Sequence, residues 1–202
     1  MAAAANTRIN EEVFQGFPTL RTERLHLRAL EEEDAPALFA IRSDARVMEF
    51  LDQDPQQSVE EAHQWIASTH ARFSERGGIK WALEVPGEAR FIGYAGIWRI
   101  FPESVGGEVG YALHPDYWGR GFATEAMRAL VRFGFQELQV HSLMASINPG
   151  NSSSRQVLLK AGFQKEALLR DAWFYKGRFI DDELYGMLES DFTPTSSPPA
   201  SG

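Results

Sequence analysis

Two glycines and an arginine in Tyr117–Ala126 stand directly before a run in which Ala123, Ala126, Met127, Leu130, Val131, Gly134 and Leu138 recur at helical spacing. A glycine-rich turn that opens a helix leaves backbone N–H groups unpaired at the positive end of the helix dipole. Such a turn suits a phosphate or pyrophosphate. Three phosphate-binding patterns compete for Gly119–Thr124. A Walker loop needs Gly-Lys-Ser/Thr, and no lysine is present. A dinucleotide fingerprint needs a third glycine, and Gly119-Arg120-Gly121 is followed by Phe122-Ala123-Thr124. What fits is a variable start followed by x-x-Gly-x-Gly/Ala, realised as Trp118-Gly119-Arg120-Gly121-Phe122-Ala123.

Composition excludes several other chemistries. There are no cysteines, which removes disulfides, thiolate metal ligands and a cysteine nucleophile. The 5 histidines show neither HExxH nor HxH spacing, so no metal site is expected. A net charge of −8 argues against a nucleic-acid-binding face and sits more easily with cationic or amine substrates. No apolar run approaches the ~20 residues of a membrane helix, and no membrane association is expected. Met1–Asn6 lacks a basic stretch followed by the roughly 7–15 apolar residues of a signal peptide, so the expected location is cytoplasmic.

The elements that must position the glycine turn follow from periodicity. Residues 1–17 read as a flexible arm in which Val13, Phe14 and Phe17 could dock; 18–190 read as a single domain, and 191–202 as a disordered Ser/Pro-rich tail. Arg24–Leu30 alternates as a half-buried strand, and Glu31–Asp34 begins a helix that runs to about Arg42. Ser58-Val59-Glu60-Glu61 forms a capping box for a helix stopped by Gly77-Gly78. Ile79–Val85 and Arg90–Ile100 form a hairpin, and Glu108–Leu113 a further strand. The helix from about Ala123 to Leu138, a strand at Ser142–Ile147 and a helix at Asn151–Ala161 follow, then strands at Phe163–Arg170 and Phe179–Leu188 around a Lys176-Gly177 turn. The fold class is α+β (mixed α/β): a mixed sheet of about seven strands with about four helices, containing one βαβ unit.

The loop resembles the pyrophosphate loop of the GCN5-related N-acetyltransferase (GNAT) superfamily, and the chain looks most like its ribosomal-protein-alanine N-acetyltransferase (RimJ/RimL-type) branch. Glu108–Pro115 before the loop, Thr124-Glu125-Ala126 after it, Asn151–Val157 and Lys160-Ala161-Gly162-Phe163 match in order. Leu20–Leu25 and Asp181–Tyr185 also match, so the likeness spans roughly Pro18 to Leu188. It implies the GNAT fold, a mostly antiparallel sheet with a central splayed parallel pair, and acetyl-CoA as cofactor.

By the same resemblance, backbone groups at Ala112, Leu113 and His114 pair with the pantetheine arm, and Asn151 hydrogen-bonds it. Gly119, Arg120, Gly121, Phe122, Ala123 and Thr124 hold the pyrophosphate. Glu108 is the first candidate general base, against the reading of a solvated or substrate-orienting carboxylate. His114 is the runner-up, against a backbone role alone. Ser154 matches the serine that partners the leaving thiolate, against a hydroxyl that satisfies a backbone amide. Leu158 stands where many superfamily members carry a tyrosine acid. Asp181 and Asp182 could attract an amine, although an exposed strand end is the blander reading; Trp98, Phe101, Trp173, Phe174 and Tyr175 could line an acceptor pocket, although strand aromatics usually belong to a core. The expected activity is direct acetyl transfer to a primary amine, with a protein N-terminal α-amine favoured and a small amine possible, in a ternary complex. The rival reading is a non-catalytic acyl-CoA-binding sensor or assembly module. In this family a final strand of this type commonly joins a dimer interface, so the resemblance makes a homodimer possible.

Overall fold

The structure, a computed structural model, describes residues 8–51 and 53–193. Residues 1–7 of the expected arm and 194–202 of the expected tail lie outside the described residues. In chain order the elements are β1 (Leu20–Arg21), β2 (His26–Arg28), α1 (Ala35–Ser43), α2 (Ala45–Met48), α3 (Val59–Ser74), β3 (Ile79–Val85), β4 (Ala89–Phe101), β5 (Gly106–Leu113), α4 (Phe122–Gln136), β6 (Ser142–Ile147), α5 (Ser152–Ala161), β7 (Gln164–Tyr175) and β8 (Arg178–Leu188). Two short elements, β1 and α2, add to those expected. β7 also runs past its expected end at Arg170. A bulge between Leu169 and Trp173 carries the pairing onward, with Asp171 at φ +52° and its N–H donating to Asp181 Oδ1 at 2.9 Å.

The strands form one sheet in the order β1-β2-β3-β4-β5-β6-β8-β7. Only β5 and β6 run parallel, and their pairing is short: Gly106 faces Ser142, Gly107 faces Leu143 and Glu108 faces Met144. Beyond that point each strand keeps its outer partner. β5 stays with β4 as far as Leu113, and β6 stays with β8 as far as Ile147. The two central strands therefore part into a V with its apex at Glu108 and Met144.

Helix α4 is the crossover that makes this pair parallel. Its buried face (Ala126, Met127, Leu130, Val131, Phe133 and Gly134) packs with Ile97, Val109 and Leu143 of the sheet and with Leu158 of α5 in one core. Burying a Leu or Phe side chain contributes about 1.5–3 kcal/mol, so this face fixes where α4 begins. A second core on the other side of the sheet joins Leu38 and Ile41 of α1 to Ile66 of α3, Ala82 and Tyr94. Ser58 caps α3 by accepting from Glu61 N. Ahead of β1, Phe14 and Phe17 pack on Phe73 at 5.3 and 5.1 Å, and Asn10 N–H donates to Leu138 O at 2.8 Å. No helix among the described residues is long and apolar enough to cross a membrane.

Candidate functional site

The glycine turn is built as an anion cradle. Gly119 and Gly121 have φ of +71° and +84°, and Gly121 is the N-cap of α4. A side chain at either position would strain that left-handed backbone. The first protein bond at this helix start is Glu125 N–H to Gly121 O; among the described residues, no backbone N–H from Gly119 to Thr124 finds an acceptor. These amides are the groups that would hold a pyrophosphate. The Arg120 side chain is not aimed at them: it grips Glu88 through both nitrogens at 2.8 and 3.0 Å and stacks on Phe122 and Tyr117.

A second cation at the turn, Arg24, escaped the sequence reading. Its Nη1 donates to Arg120 O at 2.9 Å, and its Nη2 meets Glu125 Oε2 at 2.6 Å. Glu125 also accepts from the Thr22 hydroxyl at 2.6 Å and from Arg24 N–H at 2.8 Å. Burial alone would raise the Glu125 carboxyl, yet these donors hold it below the usual carboxylate range. Glu125 thus ties the chain before β2 to the first turn of α4.

The turn and the V open into one cavity of about 740 Å³. Every predicted site residue lines it except His114 and Arg120. The expected pantetheine edge is partly occupied. His114 N–H donates to Ile92 O at 2.9 Å, and the Trp118 indole N–H donates to Leu113 O at 2.9 Å. Trp118 thereby lies against the very edge a ligand would use. The His114 ring caps the short turn that follows it, with Nδ1 accepting from Asp116 N–H at 3.3 Å.

Glu108 sits at the apex of the V with its side chain 15% exposed, and its Oε2 faces Arg99 Nη1 at 3.2 Å. Below it on β5, Tyr111 projects to the opposite face of the sheet, toward α5. Burial pushes its phenol pKa upward, and a hydrogen bond with the Ser154 side chain opposes that rise. Ser154 is itself buried, and its backbone N–H is satisfied by Asn151 Oδ1 at 2.9 Å. Ser154 and Tyr111 both line the cavity. Because Asn151 Oδ1 caps α5, its NH2 is the group left to reach a ligand. Leu158 is 1% exposed and packs in the core.

The far wall of the cavity holds what sequence reasoning read otherwise. Asp182, expected on an exposed strand end, is 4% exposed and lines the cavity beside Trp173 and Ser146. The Ser146 hydroxyl donates to it, with both carboxylate oxygens at 2.7 Å. The next residue, Glu183, faces α5 instead. Burial opposes its ionisation, yet Lys165, Arg155 and the Tyr185 hydroxyl hold its carboxyl below the usual range. Of the five aromatics weighed as cavity walls, Trp98 and Trp173 line it and Phe101, Phe174 and Tyr175 do not. Among the described residues no group of His, Asp or Glu side chains could hold a metal ion.

The chain is similar in sequence and fold to known acetyltransferases. A family model described as an acetyltransferase (GNAT) domain matches residues 24–164. The uncharacterized N-acetyltransferase YoaA of Bacillus subtilis is 33% identical over 173 residues, covering 86% of this chain and 98% of its own. The ribosomal protein uS5-alanine N-acetyltransferase of Escherichia coli is 28% identical over 184 residues, covering 87% and 93%. Among solved structures, RimL, a ribosomal L7/L12 α-N-protein acetyltransferase in complex with coenzyme A, has the same fold with a TM-score of 0.77 at 20% identity, covering 85% of this chain and 98% of its own.

Proposed function

Since this chain belongs to the acetyltransferase (GNAT) family, we propose that it transfers an acetyl group from acetyl-CoA directly to a primary amine, with both substrates bound together. One observation carries this reading: the unpaired amides of the glycine turn and the V between β5 and β6 open into the same cavity. The coenzyme A bound by RimL supports the choice of donor. The likeness to the uS5-alanine enzyme supports a protein N-terminal α-amine as the favoured acceptor.

Acetyl-CoA supplies an acetyl group already activated as a thioester. The amides from Gly119 to Thr124, with Arg24 beside them, hold the pyrophosphate. The edge of β5 at Ala112–His114 and the Asn151 NH2 hold the arm. Glu108 takes a proton from the acceptor nitrogen. Ser154 donates its hydroxyl hydrogen bond to the departing sulfur and holds its charge. The chain has no cysteine, in keeping with a transfer that forms no covalent enzyme intermediate. Orienting the two substrates then contributes most of the rate, since effective molarities reach ~10⁵ M or more.

Steady-state thiol release with a panel of amines and N-terminal peptides tests this. Turnover on at least one acceptor is expected. A second reading, a CoA-binding module without chemistry, is favoured by Leu158, which leaves no tyrosine acid at that helix position. Tight CoA binding with no thiol release on any acceptor would establish it. Homodimerisation through the terminal hairpin belongs to the same proposal, supported by the exposed Leu168, Leu169, Phe174 and Phe179 at the edge of the sheet.

A further inference from the structure

Three carboxylates among the described residues are buried: Asp34, Asp182 and Glu183. Asp34 is held bidentately by Arg28 at 2.7 and 2.8 Å, and Glu183 is held by Arg155 and Lys165. Asp182 alone meets no cation among the described residues. Its donors are one hydroxyl, from Ser146, and the Trp173 indole N–H at 3.4 Å, a long contact. An ionised carboxylate has about four acceptor sites, so this one is under-satisfied as well as uncompensated. Removing such a charge from water without a counter-charge is costly. It is also the one buried carboxylate that lines the cavity. The indole of Trp173 beside it offers a face suited to a cation.

The register of the sheet gives its distance from the reaction. Glu108 lies opposite Met144, and Met144 lies opposite Gly186 on β8. Asp182 is four residues further along β8, on the same face, hence roughly 13 Å along the strand at about 3.3 Å per residue. Asp182 is thus too far along the sheet to serve the nitrogen that Glu108 deprotonates, yet it shares the cavity with it.

Resting on the acetyltransferase reading above, we infer that Asp182 is the specificity-determining residue for a second positive charge on the acceptor, roughly 13 Å further along the sheet than Glu108. A free diamine satisfies that requirement, and so does a peptide α-amine followed by a lysine side chain. An acceptor with a neutral far end leaves the buried carboxylate uncompensated.

The test is calorimetric binding to the CoA-saturated protein, comparing 1,8-diaminooctane with 8-aminooctan-1-ol, which differ only at the far end. Wild type is expected to bind the diamine about tenfold more tightly or better, as a hydrogen bond between charged groups warrants. Asp182→Asn, whose amide still accepts from Ser146 and Trp173, should erase that gap and leave CoA affinity unchanged. Ser146→Ala, which keeps the charge but loses its orienting hydroxyl, should narrow the gap without erasing it. A wild-type preference of less than about threefold, or one that survives Asp182→Asn, overturns the assignment. Repeating the comparison with tetrapeptides that end in Lys or Gln distinguishes a peptide source from a free diamine. Thiol release followed in parallel reads the transferase proposal separately: its absence for every acceptor would sink that reading, while the calorimetric gap would still decide Asp182.

Discussion

Glu108 and Ser154 are legible from the chain only through the resemblance that names them, and the structure adds what each one touches. Glu108 shares its Oε2 with Arg99, and Ser154 shares the cavity wall with Tyr111. Glu108→Gln keeps the shape and removes the base, so kcat should fall about 10²-fold while CoA affinity holds; an unchanged kcat would remove Glu108 from the chemistry. Asp182 was legible only as one of two acids that could attract an amine, not as a buried one. Asp181, Asp182 and Glu183 are consecutive acids that must alternate between faces, and no alternation in the sequence says which one faces inward. The answer depends on the register between β6 and β8. A second residue-scale prediction concerns Lys80 on β3, whose ammonium lies 4.7 Å from the Trp65 ring centroid. Burial first, then Arg42 and Arg72, lower its pKa from 10.5 to about 8. Below about pH 8 folded and unfolded chains both hold the proton. Between about 8 and 10.5 the unfolded chain binds more of it, so this group's contribution to stability rises with pH. Lys80→Met should therefore be the more stable protein at pH 8, with its advantage over wild type shrinking by roughly 1–2 kcal/mol toward pH 10 in urea titrations. A constant difference would show that the ammonium is not penalised.

Element identities were largely legible because periodicity and turn chemistry agree. The Ser58 cap, the turn between β3 and β4 and the Lys176-Gly177 turn all stand where their residue types put them. The misses have local causes. β1 is two residues long, too short for alternation to register, and β7 extends through a bulge clamped by Asp181. The beginning of α4 is the element on which ligand binding is argued to turn. Gly121→Val places a branched side chain at φ +84°, where it is strained, and crowds Arg24 Nη2 at 3.3 Å from the new Cβ. The turn should move and CoA affinity should fall at least about 10²-fold, read by calorimetry, with the far-ultraviolet spectrum retained. Full affinity would place the pyrophosphate elsewhere.

At the scale of the whole molecule, a βαβ crossover inside an otherwise antiparallel sheet could be read from the order of elements, but the V could not. It arises because β5 and β6 each pair further with an outer neighbour than with one another, a competition between long-range partners that no local pattern encodes. Its mechanical consequence is that β1–β5 and β6–β8–β7 are two plates, joined within the sheet by only the Gly106–Glu108 ladder and braced across it by α4. A molecule lying in the gap and gripping both plates acts as a splint. Amide hydrogen exchange should then slow on adding CoA along both Val109–Leu113 and Ala145–Ile147, on opposite sides of the gap and away from the glycine turn. Protection confined to the turn would mean that the plates flex independently of their ligand. If the splint holds, the stiffness of this fold is a property of the loaded protein more than of the chain alone.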